Sequence, residues 1–362
     1  MKIALAQTTT GIDPARNAAD LVAAVHEAAR GGAAMLFTPE MSGLLDSDRA
    51  RAAASLVSED EDGVLAAVRA AAAAAGIWVE LGSLALRRAD GKLANRSFVI
   101  DAEGRIRARY DKLHLFDVDL PTGERWRESA AYTAGETAVV ADTPIGRLGL
   151  AICYDLRFAG LFAALSDAGA TALSIPAAFT RPTGAAHWHI LMRARAIESA
   201  AFVIAAAQTG EHADGRATYG HSLVVDPWGE VLLDMGAAPG IGFAELDLGA
   251  VALGRDARRH HRLGHVGRAA YRAADQPAAP LLVERLGRGE PRFEHMVRRA
   301  AQIEYDHGAI STGGIARRCA ITGTRARTAS TAPRSSSAKP MPGAAPISSS
   351  TSPHGSTTSE WP

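Results

Sequence analysis

Cys153 closes the apolar run Leu148-Gly149-Leu150-Ala151-Ile152 and is followed at once by Tyr154-Asp155 and a helix-forming stretch. A thiol at a strand-to-helix turn can serve as a nucleophile, with the positive end of the helix favouring its thiolate. The same position also suits a small, inert, buried side chain. It is analogous to the nucleophile elbow of serine hydrolases, although no Gly-x-Ser-x-Gly is present. Glu40 follows the apolar run Met35-Leu36-Phe37 and a proline, at the carboxyl end of a strand, where open α/β sheets place their sites. A solvated loop carboxylate fits there too. Lys112, in Tyr110-Asp111-Lys112-Leu113-His114-Leu115, has more apolar flanks than a surface lysine usually has. Glu128, in Arg127-Glu128-Ser129, has no distinguishing context. Taken singly, none of the four is decisive.

Other chemistries find less support. His187-Trp188-His189 has two imidazoles, but positions i and i+2 of a helix point to different faces. There is no His-Glu-x-x-His and no cysteine cluster, so no metal site is expected. His260-His261 belong to a basic stretch and follow its composition. With no phosphate-binding Gly-x-x-x-x-Gly-Lys-Ser/Thr and no strand-linked Gly-x-Gly-x-x-Gly, no nucleotide site or other cofactor is expected.

The elements that must position these residues alternate. Strands are predicted at Lys2–Gln7, Ala34–Thr38, Ile77–Leu84, Ser97–Asp101 and Ile106–Tyr110, with helices at Pro14–Ala29 and Gly63–Ala75. Val139–Asp142 and Leu148–Cys153 flank a tight corner, and a helix Arg157–Ala168 leads to a strand Ala172–Ile175. A helix Ala185–Ser199 and a strand Phe202–Ala207 follow. His221–Asp226 and Glu230–Leu233 flank the turn Pro227-Trp228-Gly229, and Gly242–Asp247 is the last strand. Alternation with added hairpins argues for layered α/β with mixed sheets.

The 362 residues include 39 basic and 39 acidic side chains, and 47% are hydrophobic, ample for a core. Zero net charge argues against a general nucleic-acid binder. Two cysteines, Cys153 and Cys319, cannot build a disulfide framework, so a reducing, cytoplasmic setting is expected. The opening MKIALAQTTTG has too short an apolar run for a signal peptide, and no stretch has the length and apolarity of a membrane span. The charge balance conceals a split. Residues 1–250 carry 22 basic and 31 acidic groups, whereas 251–362 carry 17 and 8. Residues 251–328 form an atypical basic segment, in which the run Pro280–Val283 and the surroundings of Met296 are candidates for helix. Residues 329–362, mostly Ser, Thr, Pro, Ala and Gly, are expected to be a disordered tail.

Order and context change the weight of the four residues. Phe37-Thr38-Pro39-Glu40, Tyr110-Asp111-Lys112-Leu113-His114-Leu115-Phe116-Asp117 and Gly149-Leu150-Ala151-Ile152-Cys153-Tyr154-Asp155-Leu156-Arg157-Phe158 resemble the nitrilase superfamily of carbon–nitrogen hydrolases. The resemblance continues through Pro176-Ala177-Ala178-Phe179, Thr183-Gly184, Ala186-His187-Trp188, Arg193–Glu198, Tyr219-Gly220-His221-Ser222 and Val225–Glu230, covering residues 1–250. It implies a four-layer αββα sandwich with two mixed sheets. A homodimer is also implied, joined on the face carrying the helices after Cys153 and around 185–198. It further implies a Glu40-Lys112-Cys153 triad with Glu128 as a second, supporting glutamate. In that mechanism Cys153 attacks an amide carbonyl, Glu40 moves the protons, and Lys112 with the backbone at the Cys153–Tyr154 turn holds the oxyanion. Two carboxylates beside one ammonium keep the lysine charged.

Arg193–Glu198, Ala205–His212 and Tyr219–Trp228 look most like the deaminated glutathione amidase branch. The implied reaction is hydrolysis of a terminal amide of a small 2-oxo acid through a cysteine thioester, with ammonia leaving. Deaminated glutathione, converted to 2-oxoglutarate and Cys-Gly, is the substrate first in line. An ω-amidase acting on 2-oxoglutaramate, or another short aliphatic amidase, is the alternative. Tyr154, Arg157, Phe179, Arg181 and Thr183 are the candidate substrate-binding residues, and Arg157, Arg181 and Arg193 are the arginines suited by type to an anionic substrate. From Gly249 onward the chain departs from the family pattern where its charge changes sign, as a frameshift would produce. A product left inactive or misfolded by that altered C-terminus is the reading of a different class.

Overall fold

In the computed structural model of the chain, the structure describes residues 1–119, 125–249 and Val251, together with the backbone of Leu281–Val283. The first sheet is built from β1 (Lys2–Gln7), β2 (Met35–Phe37), β3 (Trp78–Arg87), β4 (Leu93–Ile100) and β5 (Ile106–Asp111). A short hairpin of β6 (Asp117–Asp119) and β7 (Arg125–Arg127) follows. The second sheet draws on β8 (Ala138–Thr143), β9 (Gly146–Leu150), β10 (Ala172–Ser174) and β11 (Phe202–Ala205). Next come the small hairpin β12 (Thr209–Glu211) and β13 (Ala217–Tyr219), then β14 (Leu223–Val225), β15 (Val231–Asp234) and β16 (Gly240–Glu245). The helices are α1 (Pro14–Arg30), the single turn α2 (Arg49–Ala52), α3 (Gly63–Ala75), α4 (Ala159–Asp167) and α5 (Arg181–Ser199).

Strand order is β16-β1-β2-β3-β4-β5 in the first sheet and β15-β14-β11-β10-β9-β8 in the second, which gains one further strand beside β8. Both sheets mix parallel and antiparallel pairs. The period of two along each strand sorts the core into three layers. Ile3, Leu5, Met35 and Phe37 face inward onto Leu148, Leu150, Phe202 and Ile204 of the other sheet. Ala4, Ala6 and Leu36 point the other way, onto Leu21 and Val25 of α1 and Leu65 and Val68 of α3. Leu173, Val203 and Val225 meet Phe162 and Leu165 of α4 and Trp188 and Met192 of α5. Helix, sheet, sheet, helix is the αββα sandwich that the sequence implies.

Most elements lie within a few residues of their expected places, and α3 occupies its expected span. Two differ for identifiable reasons. Helix α5 begins at Arg181, not Ala185, because Pro182 falls in the first turn, where no backbone N–H is required of it. Gly184 is tolerated inside it because the Tyr219 ring packs where a Cβ would stand, 2.2 Å from that position. The run Pro280–Val283 is not helical: Leu281–Val283 is strand β17, parallel to β8 with Leu281 opposite Ala138. The rest of the basic segment, including Met296, and the tail 329–362 lie outside the described residues.

Candidate active site

Glu40, Lys112 and Cys153 come from three separate strand ends, each delivered by backbone contacts. Glu40 stands three residues beyond β2. The Thr38 and Pro39 carbonyls there press against Gly82 of β3 so closely that a Cβ would come within 2.0 Å of Thr38 O. Gln208, fully buried, donates to the Glu40 backbone carbonyl at 3.0 Å and to Thr10 Oγ1 at 2.7 Å. Lys112 follows β5, with its N–H on Asn95 O at 2.9 Å. Cys153 opens a five-residue 3-10 turn, Cys153–Arg157, with φ of 49°, and its N–H donates to Pro176 O at 2.9 Å. A positive φ at a non-glycine residue is the strained elbow that the sequence suggests.

The side chains converge. Lys112 Nζ donates to Glu40 Oε1 at 2.9 Å and to Glu128 Oε2 at 3.0 Å. Asn95 Nδ2 bridges the same two carboxylates, at 2.9 Å to Glu40 and 3.1 Å to Glu128. Ala178 N–H donates to Glu40 Oε2 at 3.0 Å, and Phe116 N–H to Glu128 Oε2 at 2.7 Å. Glu40 and Lys112 are both buried, so their charges sit where partners, not water, must stabilise them.

The electrostatics follow from those contacts. Burial raises the Glu40 pKa, but Lys112, Cys153 and Asn95 outweigh it and hold the carboxyl below its usual value. Burial lowers that of Lys112, yet Glu128 and Glu40 drive it well above the ordinary lysine value, so the ammonium stays charged. Cys153 differs from expectation. Burial and the Glu40 carboxylate push its thiol well above the usual value, against the opposing pull of Lys112 and the Ala178 N–H. The reason is structural: the residue heads a 3-10 turn of five residues, too short to supply the helix field invoked from sequence, and it faces an anion. The resting group is a thiol next to an ionised carboxylate, an arrangement in which the first could act as nucleophile and the second as its base.

These residues open into a cavity of about 330 Å³, lined also by Tyr154, Arg157, Phe179 and Thr183, as well as Phe116, Trp126, Tyr132 and Arg216. Arg181 is the exception among the expected binding residues. Half exposed, it turns toward Glu211 at 3.6 Å and does not line the cavity. Arg193 is likewise elsewhere, donating to Gly229 O at 2.7 Å. His187 and His189 diverge as the helical period requires, the first to Arg157 at 3.3 Å and the second to Asp234 at 2.9 Å.

Three further polar residues, which the sequence pattern does not mark, support the site. Asn95 and Gln208 brace Glu40 as described. Asp155, fully buried, accepts from Tyr110 Oη at 2.7 Å, His114 N at 2.9 Å and Ile152 N at 2.8 Å. His114 Nδ1 also lies 2.6 Å from it. One carboxylate thus locks the cysteine turn to both flanks of Lys112. The sequence offers little signal for them: Asn95 opens the polar run Asn95-Arg96-Ser97 within β4, Gln208 ends the alanine run after β11, and Asp155 stands two residues from the cysteine.

A family model described as carbon-nitrogen hydrolase matches residues 2–256. The deaminated glutathione amidase of Yersinia enterocolitica is 41% identical over 233 residues, 64% of this chain and 81% of that protein. The deaminated glutathione amidase of Homo sapiens is 39% identical over 264 residues, 71% of this chain and 79% of that one. Among solved structures, a glutamate-to-glutamine mutant of an amidase from Nesterenkonia sp. AN1, with acrylamide added at its active-site cysteine, superposes with a TM-score of 0.60. It shares 28% identity and covers 72% of this chain and 99% of that one. Fold, site geometry and these likenesses agree, and the chain belongs to the carbon–nitrogen hydrolase family, the nitrilase superfamily, as an amidase.

Proposed function

We propose that the protein hydrolyses the amide of a small anionic 2-oxo acid, deaminated glutathione foremost, through a thioester on Cys153. The observation that carries this reading is the buried Glu40-Lys112-Glu128 ion cluster against the Cys153 thiol. As sulfur adds to the carbonyl carbon, Glu40 takes the thiol proton and passes it to the departing nitrogen as the C–N bond breaks. Lys112 and the backbone at the Cys153–Tyr154 turn balance the oxyanion, and Glu128 holds Lys112 in place. Water then adds to the thioester with its proton on Glu40, the C–S bond breaks, and the proton returns to sulfur.

Balancing atoms corrects one sequence expectation. From deaminated glutathione the leaving group is the amine of Cys-Gly; ammonia leaves only from a primary amide such as 2-oxoglutaramate. Both substrates pass through the same 2-oxoglutaryl thioester, so they differ in the acylation step alone. Arg157 is the arginine we assign to the substrate carboxylate. Its contacts are the His187 ring and the faces of Tyr154 and Phe179, at 6.0 and 5.6 Å, and no carboxylate among the described residues pairs with it. Arg216, by contrast, already forks onto Asp214.

The likeness to deaminated glutathione amidases over most of their length supports the longer substrate. The test is 2-oxoglutarate release from both compounds, with Cys153→Ala alongside. A kcat/KM higher for deaminated glutathione supports the assignment, and a preference for 2-oxoglutaramate replaces it with an ω-amidase. Among the described residues no helix is long and apolar enough to cross a membrane. A reducing, cytoplasmic setting would keep the Cys153 thiol free. We also propose a homodimer joined on the outer face of α5. There Ile190 and Ile197, one heptad apart, are 71% and 53% exposed, and Trp228 in the β14–β15 turn is 72% exposed, apolar side chains that a second copy would cover.

A further inference from the structure

We infer that His189, His221 and Asp234 form a binding site for a late first-row divalent metal ion, Zn2+ being the type, outside the lining of the amide-cleaving cavity. The three come from α5, the turn after β13 and the end of β15. Their ligand atoms all lie within 4.8 Å of one another. His189 Nε2 is 2.9 Å from Asp234 Oδ2, and His221 Nδ1 is 3.1 Å from the same oxygen. Donors around a tetrahedral Zn2+ with bonds of about 2.0–2.1 Å stand roughly 3.4 Å apart. The triangle therefore needs to shift by only a few tenths of an ångström on its carboxylate sides and to close on its imidazole side. Ring nitrogens with a carboxylate oxygen are the donor set that zinc, nickel and copper favour. Three protein ligands at a partly exposed place leave a fourth position for water.

The ligands are also held in place. Tyr219 stacks on the His221 ring at 4.5 Å and 23°, and His189 meets His221 edge-on at 5.2 Å. The Gly236 N–H donates to Asp234 Oδ1 at 2.9 Å, fixing the carboxylate. His221 adopts φ of 57°, a conformation few non-glycine residues take, and this turn brings its Nδ1 to Asp234. Contacts of this kind behind a ligand are what orient metal sites. The helical period explains why no metal was expected from sequence. His187 and His189 do not cooperate, and the true neighbours of His189 lie 32 and 45 residues further along the chain. On binding, an ion would take the place of the two imidazole N–H protons now directed at Asp234.

The test uses the full-length, tag-free chain, stripped with a chelator and titrated with Zn2+ by calorimetry and with Co2+ by visible absorption. Wild type and Cys153→Ala should bind Zn2+ equally. Bound Co2+ should give d–d bands without a thiolate charge-transfer band. His189→Ala and Asp234→Asn, folded by circular dichroism, should each weaken Zn2+ binding on the order of tenfold or more, and Zn2+ should raise the melting temperature of wild type and Cys153→Ala by more than that of either site variant. Binding unchanged in His189→Ala, binding lost in Cys153→Ala, or no binding by wild type below about 1 mM Zn2+ each overturns the site. The last would leave a hydrogen-bonded His-Asp-His cluster.

Discussion

Glu80 presents a carboxyl group that the reaction does not use. It lies on β3 opposite Phe37, buried between the sheets; Ser97 donates to Oε1 at 2.7 Å, while Oε2 has no hydrogen-bond partner among the described residues. Burial pushes its pKa up to about 8 from 4.5, and the Ser97 hydroxyl offsets only part of that. Between those two values the folded protein keeps a proton that the unfolded chain has released. Stability is therefore intact below the unfolded value, falls as pH rises toward the folded one, and levels off above it. At about 1.4 kcal/mol per pH unit, the loss is roughly 3 kcal/mol by pH 7 and approaches 5 kcal/mol in the alkaline limit. Glu80→Gln retains the acceptor for Ser97 and cannot ionise. Urea unfolding at fixed protein concentration, from about pH 5 to about pH 9, should give a midpoint for this variant that is flatter with pH and higher than wild type at the alkaline end. Parallel curves for the two proteins would mean that the carboxyl is ionised in the fold or solvated, and Glu80 would then hold no proton at neutral pH.

Three further predictions rest on the site. Asn95→Asp sets a third carboxyl group against Glu40 and Glu128, and kcat should drop on the order of a hundredfold with KM little changed, measured as 2-oxoglutarate release. Asp155→Asn removes the anion shared by Tyr110, His114 and Ile152; it should cost about 2–4 kcal/mol in denaturant unfolding and lower kcat as well, and wild-type behaviour would remove Asp155 from the positioning network. The pH profile of kcat/KM should show no limb from the triad through the neutral range. Glu40, held low, stays ionised as the base, Lys112, held high, stays charged, and Cys153, raised, stays a thiol. A sigmoid rise through neutrality, abolished in Glu40→Gln, would show that Glu40 titrates there instead.

How much of this was legible in the sequence depends on the kind of signal. The layered α/β organisation could be read because β1, β2, β9 and β10 are apolar runs and α1 and α3 carry caps and stripes, each reporting burial through its own period, whereas the four-layer sandwich followed only from the family resemblance. The hairpins β6–β7 and β12–β13 could not. Their strands are three residues long and polar, so alternation has nothing to act on, yet Arg125–Arg127 and Ala217–Thr218 line the cavity. Glu40, Lys112, Glu128 and Cys153 emerged only as an ordered set. The chemistry of each depends on neighbours 12 to 138 residues away, which no local pattern encodes. The Cys153 thiol shows the limit most clearly: its place at a strand end was readable, but its raised pKa comes first from burial in the assembled fold and then from an anion on another strand. The placement of Arg181 rests likewise on Glu211 of a hairpin that left no trace in the pattern.

The central claim is that Cys153 carries the acyl group. Wild type and Cys153→Ala, mixed with deaminated glutathione and in parallel with 2-oxoglutaramate, can be quenched in acid within a turnover and weighed intact. One 2-oxoglutaryl adduct of identical mass is expected from either substrate, mapped by peptide analysis to Cys153 and missing from the variant. Turnover by Cys153→Ala at the wild-type rate, or an adduct on another residue, would contradict it.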